Sequence, residues 1–200
     1  MASKDRILRL KEETRGNILE ASLQIVKEEG WQALSMRKIA DVIEYTAPII
    51  YEYFANKDAI LLELTRQGYI KLSKQLQAAK DKHRLPAKQL EAMWLAYWNF
   101  AFENKELYQV MFGVQMNCCC DMVKSLIESE CPEVLFSKVM GELMGVEDLD
   151  SDLIRTKYYT FWSVVHGLIS INIVDRGFSD EINRQVLKDA IGGIIGTMTV

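Results

Sequence analysis

Apolar residues recur at intervals of three and four along the chain, and the elements this spacing predicts are helices. A first helix is expected over residues 11–29, with Ile18, Ser22, Ile25 and Val26 on one face and Gly30 as its stop. Trp31 and Leu34 then pack a corner. Residues 35–57, SMRKIADVIEYTAPIIYEYFANK, hold two short helical patterns joined by a turn too short to leave room for anything else. Ser35 is placed to cap the first, and Ile39, Val42 and Ile43 fall at the spacing of one buried stripe. Glu44 and Tyr45 form the turn. Thr46 can cap the second helix by accepting a backbone N–H, and Pro48 sits in its first turn, where a missing donor costs little. Ile50 and Phe54, four apart, share the inward face. The pair reads as a helix-turn-helix.

Asn56 is placed to cap a fourth helix over residues 57–82, whose Leu61, Leu64, Gly68, Leu72 and Leu76 form a near-helical stripe. After a break at Leu85 and Pro86, residues 86–103 carry Met93, Trp94, Tyr97, Trp98, Phe100 and Phe102, a density that builds either a plain core or the wall of a ligand cavity. Residues 107–113 make a short helix and turn. Residues 117–145 are helical but less regular, bent at Pro132, and the acidic residues 146–152 form a loop. Residues 153–175 are nearly apolar. Within them Trp162 and His166 lie one turn apart on one face, either as a tryptophan packed beside a hydrogen-bonded core histidine or as two groups addressing a ligand. The last helix, residues 180–199, repeats Ile182, Val186, Ala190, Ile194 and Met198 every four residues, with Gly192, Gly193 and Gly196 among them. Glycines weaken an exposed helix, so this one is expected to meet another backbone. The expected fold is all-α: an N-terminal three-helix head containing the helix-turn-helix, residues 1–56, on a larger helical body, residues 57–200.

The run Ile39-Ala40, Thr46-Ala47-Pro48, Tyr51-x-Tyr53-Phe54 and Asn56-Lys57, with Thr14-Arg15-x-x-Ile18-Leu19-x-Ala21 before it, resembles the DNA-binding signature of the TetR/AcrR transcriptional regulators. Where that family usually carries glycine and valine in the turn, this chain has Glu44 and Tyr45, which puts a negative charge near the DNA-facing surface. Leu107-Tyr108-x-x-Met111-Phe112-Gly113 resembles a segment that follows the pocket helix in the family. Trp162-x-x-x-His166-Gly167 is similar to the signature of one C-terminal domain class among TetR-like regulators. The resemblance implies a double-stranded DNA operator, a small-molecule effector, no cofactor, and a homodimer through a four-helix interface of the last two helices from each copy.

Charge supports that division of labour. The chain carries a net −4, but residues 1–57 hold nine basic against nine acidic residues, so the head is neutral and the acidity lies in the remainder. Lys4, Arg6, Arg9, Lys11 and Arg15 crowd the N-terminal arm, either as a solvated, disordered tail or as a track for phosphates. No apolar run reaches the length of a membrane span, since His166, Asn172 and Thr197 interrupt the longest, and the charged N-terminus lacks the apolar core of a signal peptide. A cytoplasmic protein is expected. Cys118, Cys119, Cys120 and Cys131 match no metal-ligand spacing and read as free thiols. An enzyme built on one of them with His83 or His166 would need a base and an orienting group at hand, and the sequence shows neither, so no catalytic or metal residue is assigned.

The leading reading is a homodimeric, ligand-responsive DNA-binding regulator, a repressor released from a near-palindromic operator by a small apolar or aromatic molecule. The alternative is a ligand-binding or interaction protein that has lost operator binding, which Glu44 keeps open. DNA contacts are expected from Arg15, Ser35, Arg37, Thr46, Ala47, Pro48, Ile49, Tyr51, Tyr53 and Lys57. Among these Thr46, Tyr51, Tyr53 and Lys57 match family positions on the DNA backbone or groove. The effector is expected against Trp94, Tyr97, Trp98, Met111, Phe112, Met116, Trp162 and His166. The reading helix offers Ala47, Pro48 and Ile49, with no side chain for bidentate base contacts, so sequence preference should rest on thymine methyls, Arg37 and DNA shape. Arg37→Ala should therefore relax discrimination among mutated operators in a binding assay, and unchanged discrimination would remove Arg37 from the reading set.

Overall fold

The computed structural model describes residues 2–113, 131–174 and 177–198. Among them the elements are α1 (Ala2–Glu29), a 3-10 turn (Trp31–Ala33), α2 (Met36–Val42), α3 (Ala47–Tyr53), α4 (Lys57–Lys80), α5 (Pro86–Glu103), α6 (Lys105–Gly113), α7 (Pro132–Met144), α8 (Asp152–Ile173) and α9 (Asp180–Gly196), with no strand. They divide into two units, Met1–Gly68 with Glu106–Met122, and Tyr69–Lys105 with Val123–Val200.

In the first unit Ile18, Leu19, Ser22, Ile25 and Val26 of α1 are buried, together with Leu34, Ile39, Ile50, Phe54, Ile60, Leu61 and Leu64. Helix α1 begins nine residues before its expected start. The charged arm is thus an exposed helical extension and not a disordered tail. No proline or glycine interrupts residues 2–15, Thr14 Oγ1 donates to the Leu10 carbonyl, and Arg9 pairs with Glu13 one turn on, all of which favour helix. Ser35 caps α2 as expected, its Oγ accepting from the Lys38 N–H at 3.2 Å. The buried stripe of α2 is Met36, Ile39 and Ala40, while Val42 is 52% exposed. Met36, Ile39, Ala40 and Ile43 follow the three-four spacing of one face, and Val42 falls off it.

The turn is a Schellman ending. Tyr45 N–H reaches back to the Ala40 carbonyl at 2.9 Å, and Glu44 between them takes φ 57°. Thr46 occupies the cap position of α3, but its hydroxyl makes no capping bond. Pro48 has no N–H to give, and the next donor, Ile49 N–H, is taken by the Thr46 carbonyl at 3.0 Å. Asn56 does cap α4, its Oδ1 accepting from Ala59 N–H at 2.9 Å. Further along α4, Gly68 lies so close to α6 that a Cβ there would meet Met111 Sδ and Leu107. Only glycine leaves that space.

In the second unit α5 and α7–α9 bury Leu90, Met93, Trp94, Tyr97, Phe100, Phe136, Val139, Phe161, Val165, Ile169, Leu187 and Ile191, along with Leu72 and Leu76 of α4. Ser151 and Ser179 cap α8 and α9. In α9 the inward face is Asn183, Leu187 and Ile191, whereas Ile182 and Val186 of the expected stripe point to solvent. A Cβ added to Gly192, Gly193 or Gly196 would meet nothing within 4 Å, so the backbone expected against these glycines is not among the described residues of the chain. Met116 and Cys118–Cys120 lie outside the described residues.

Glu44 pays the usual penalty of a side chain in the left-handed region, about 1 kcal/mol or more. Glu44→Gly should raise the stability of the protein by about 0.5–1 kcal/mol, the strain relieved less glycine's extra chain entropy, read as a higher denaturant midpoint at unchanged slope.

Candidate nucleic-acid interface and ligand site

The solvent-facing side of the helix-turn-helix is built from α2, the turn and α3. Arg37 is exposed on α2, followed by Asp41, Glu44 and Tyr45, and Thr46, Pro48, Tyr51 and Glu52 are exposed on α3. Pro48, Tyr51 and Glu52 share one face by spacing, and Tyr51 is the most prominent apolar group there at 55% exposure. Ala47, Ile49 and Tyr53 are half-buried. This surface can offer aromatic and methyl contacts, one guanidinium from Arg37, and the Thr46 hydroxyl left over from capping. Its acidic side chains oppose phosphate.

Three expected DNA contacts serve the head itself. Ser35 spends its hydroxyl on the α2 cap. Lys57 donates from Nζ to the Gln32 carbonyl at 3.2 Å, with its ammonium 5.5 Å from the Trp31 ring centroid, and so ties the start of α4 to the 3-10 turn. Arg15 reaches Glu63 of α4 at 3.2 Å and lies 5.0 Å over the Phe54 ring, where α3 ends. Glu63 is 13% exposed and also takes Arg66 in a bidentate bond, at 2.9–3.2 Å. Burial pushes the Glu63 carboxyl up, but hydrogen bonds and charge from Arg66 and Arg15 outweigh it and hold it below the ordinary carboxylate value. The Glu63–Arg66 spacing was readable on a helix, whereas Arg15 to Glu63 is a tertiary pairing that no local pattern announces.

In the second unit four expected ligand residues come together. Trp94 is fully buried, stacked on Phe136 at 4.0 Å and on Phe161 at 5.2 Å, with Tyr97 edge-on at 5.6 Å. Trp162 donates its Nε1–H to the Tyr97 hydroxyl at 3.2 Å and stacks on His166 at 4.7 Å, the rings 13° from parallel. Burial lowers the His166 pKa, which keeps the ring neutral at pH 7. Tyr158, which sequence reasoning missed, stands beside Trp94 and Phe136, its phenol pushed well above its ordinary value by burial. The Trp94 Nε1–H is buried without an acceptor among the described residues. Trp98 is placed apart, against Phe102 on the half-buried side of α5. Met111 and Phe112 belong to the first unit, where Met111 is seated at Gly68 and Phe112 contacts Tyr108.

A family model described as "Bacterial regulatory proteins, tetR family" matches residues 18–64, and one described as "Tetracyclin repressor-like, C-terminal domain" matches residues 90–189, half of the chain. The chain belongs to the TetR family. The first of these matches spans the helix-turn-helix, and the family it describes is one of bacterial regulatory proteins. An uncharacterized HTH-type transcriptional regulator of Haemophilus influenzae is 31% identical over 87 residues, and the chain spans just under half of that relative, 46%. Among solved structures, a Rhodococcus protein of unknown function superposes with TM-score 0.77 at 17% identity, covering 93% of this chain and 95% of that one. Thermus thermophilus FadR, a TetR family transcriptional repressor in complex with lauroyl-CoA, superposes with TM-score 0.66 at 19% identity, with the same coverages. These two likenesses concern the TetR fold alone.

Because Glu63 has a depressed pKa when folded, its contribution is present above the unfolded glutamate value, near 4.3, and is lost as pH falls through and below it. Glu63→Gln should cost about 1–2 kcal/mol at pH 7, less than a fully buried pair because both guanidiniums keep some water. The variant should also flatten the acid limb of stability against pH in thermal melts below pH 5.

Proposed function

We propose that this TetR-family regulator is a homodimeric, cytoplasmic repressor, released from a near-palindromic operator by a small apolar molecule. The observation that carries the effector reading is the aromatic cluster of the second unit. Trp162 and His166 supply half-buried aromatic surface at its edge, Trp94 and Tyr97 are closed off in its core, and the Trp94 Nε1–H, which has no acceptor among the described residues, asks for one that an effector brings by parting those rings. The effector is an aromatic molecule or a fatty acyl chain; the acyl class is favoured by the likeness to Thermus FadR, which was solved with lauroyl-CoA.

The DNA-binding head is assigned to residues 1–56 and the effector and dimer body to residues 57–200. Thr46, Pro48 and Tyr51 enter the major groove, Arg37 contacts a base or phosphate, and the helical arm of Lys4, Arg6, Arg9 and Lys11 follows the backbone. A second copy covers the outward apolar side chains Ile171, Val174, Ile182 and Val186 and approaches the open glycines of α9. Twofold symmetry then sets two reading helices about 34–36 Å apart. The effector shifts that spacing only as far as its affinities for the two states differ, about 10⁴-fold for a full switch.

Gel shifts on the DNA upstream of the gene, at several salt concentrations, test the reading. Binding should weaken steeply with salt and be abolished by lauroyl-CoA or an aromatic ligand, with quenching of tryptophan fluorescence. Ligand-induced quenching with no shift on any DNA would favour the alternative, a binding protein whose head, with Glu44 and Glu52 on its face, no longer holds an operator.

A further inference from the structure

Among the described residues the hairpin of α8 and α9 carries a polar contact at each end of an apolar seam, an exposed Lys157 Nζ–Thr197 Oγ1 bond at 2.8 Å at one end and a largely buried amide pair at the other. Phe161, Val165 and Ile169 of α8 and Leu187 and Ile191 of α9 are buried along it. At the connection end stand two amides. Asn183 is 3% exposed, and its Nδ2 donates to Asn172 Oδ1 at 2.6 Å and to the Phe178 carbonyl at 3.0 Å. Asn172 Nδ2 donates in turn to Asn183 Oδ1 at 3.3 Å and to the Leu168 carbonyl at 2.8 Å. Two side chains thereby join α8, the connection and α9 with both amides satisfied. A Cβ at Gly177 would land on the Asn172 amide, so the connection passes there only as glycine.

Apolar contact has no direction, and an all-aliphatic seam lets two helices settle in more than one register. A mutually bonded amide pair with one member buried permits one, since any slide leaves the Asn183 donors and acceptor unpaired out of water. What depends on that register is the outer face. Ile171 and Val174 at the end of α8, Phe178 in the connection at 75% exposure, and Ile182 and Val186 of α9 all stand outward.

We infer that Asn172 and Asn183 are positioning residues of the subunit interface, holding α8 against α9 in the one register that presents this outer face to a second copy. The inference rests on the homodimer reading above.

The test is the Asn172→Leu, Asn183→Leu double variant of the full chain, labelled with 5-fluorotryptophan. The protein has four tryptophans, so the symmetric wild-type dimer should show four fluorine resonances, one of them from Trp162 on α8. The double variant should melt no lower than wild type, because leucines fill the same space. Yet its Trp162 resonance should split, and its dimer dissociation constant, from sedimentation, should rise about tenfold or more. A single Trp162 resonance, or a split one with an unchanged dissociation constant, would overturn the inference. Should the double variant fail to fold, Gly177→Ala makes the same prediction by displacing the Asn172 amide with both asparagines present, and a single Trp162 resonance there overturns it equally. A monomeric wild type would sink the homodimer reading instead, while the Trp162 signal still reports the hairpin register.

Discussion

A carboxylate taken mostly out of water must be given positive partners, and Glu63 imposes that requirement on the head. Arg66 supplies one from the next turn of α4, and Arg15 supplies the other from α1. The Arg15 guanidinium also lies over Phe54, the residue that closes α3. One acidic group therefore gathers α1, the end of α3 and α4. The aliphatic core beneath, from Ile18 to Leu64, supplies most of the burial energy but little direction. Direction comes from the charge pair and from Lys57, whose ammonium holds the carbonyl of Gln32.

That economy leaves the outward face of the helix-turn-helix lightly equipped. Arg15, Ser35 and Lys57 carry the chemistry of phosphate contact but are committed to the fold, whereas Thr46 keeps its hydroxyl because Pro48 and Ile49 leave it no donor to accept. What else remains outward is Arg37, Tyr45, Tyr51, Pro48 and the acids Asp41, Glu44 and Glu52. Such a face gains more from groove shape and methyl contact than from hydrogen-bonded base reading. Acids on such a face oppose phosphate.

The helical order was legible because the apolar spacing is regular and the caps are strong: Ser35, Asn56 and Pro86 all mark starts that the fold keeps. The signature of the helix-turn-helix was legible for the same reason, several residue types at fixed offsets. Val42 and Thr46 were misjudged locally, one because a seven-residue helix has room for a single stripe, the other because a neighbouring proline removed the donor. The arm was left open because charge density alone does not separate a solvated helix from coil. Pairings across the chain were not legible at all. Arg15 with Glu63, Asn172 with Asn183 and Trp162 with Tyr97 each need the fold before they exist, and the two phenylalanines that close Trp94 into the core come from α7 and α8.

The seat of Met111 on Gly68 has a mechanical meaning. Where two helices meet through side chains, rotamers can yield and absorb a small displacement. Where a glycine lets a thioether lie against backbone, that compliance is largely gone on one side, and the contact transmits load. A push on α6 is therefore passed to α4 at this point, midway along a 24-residue rod that starts at the Asn56 cap. The rod's stiffness then turns a small sideways force at Gly68 into a torque about the Glu63 clamp five residues earlier, close to the end that follows α3.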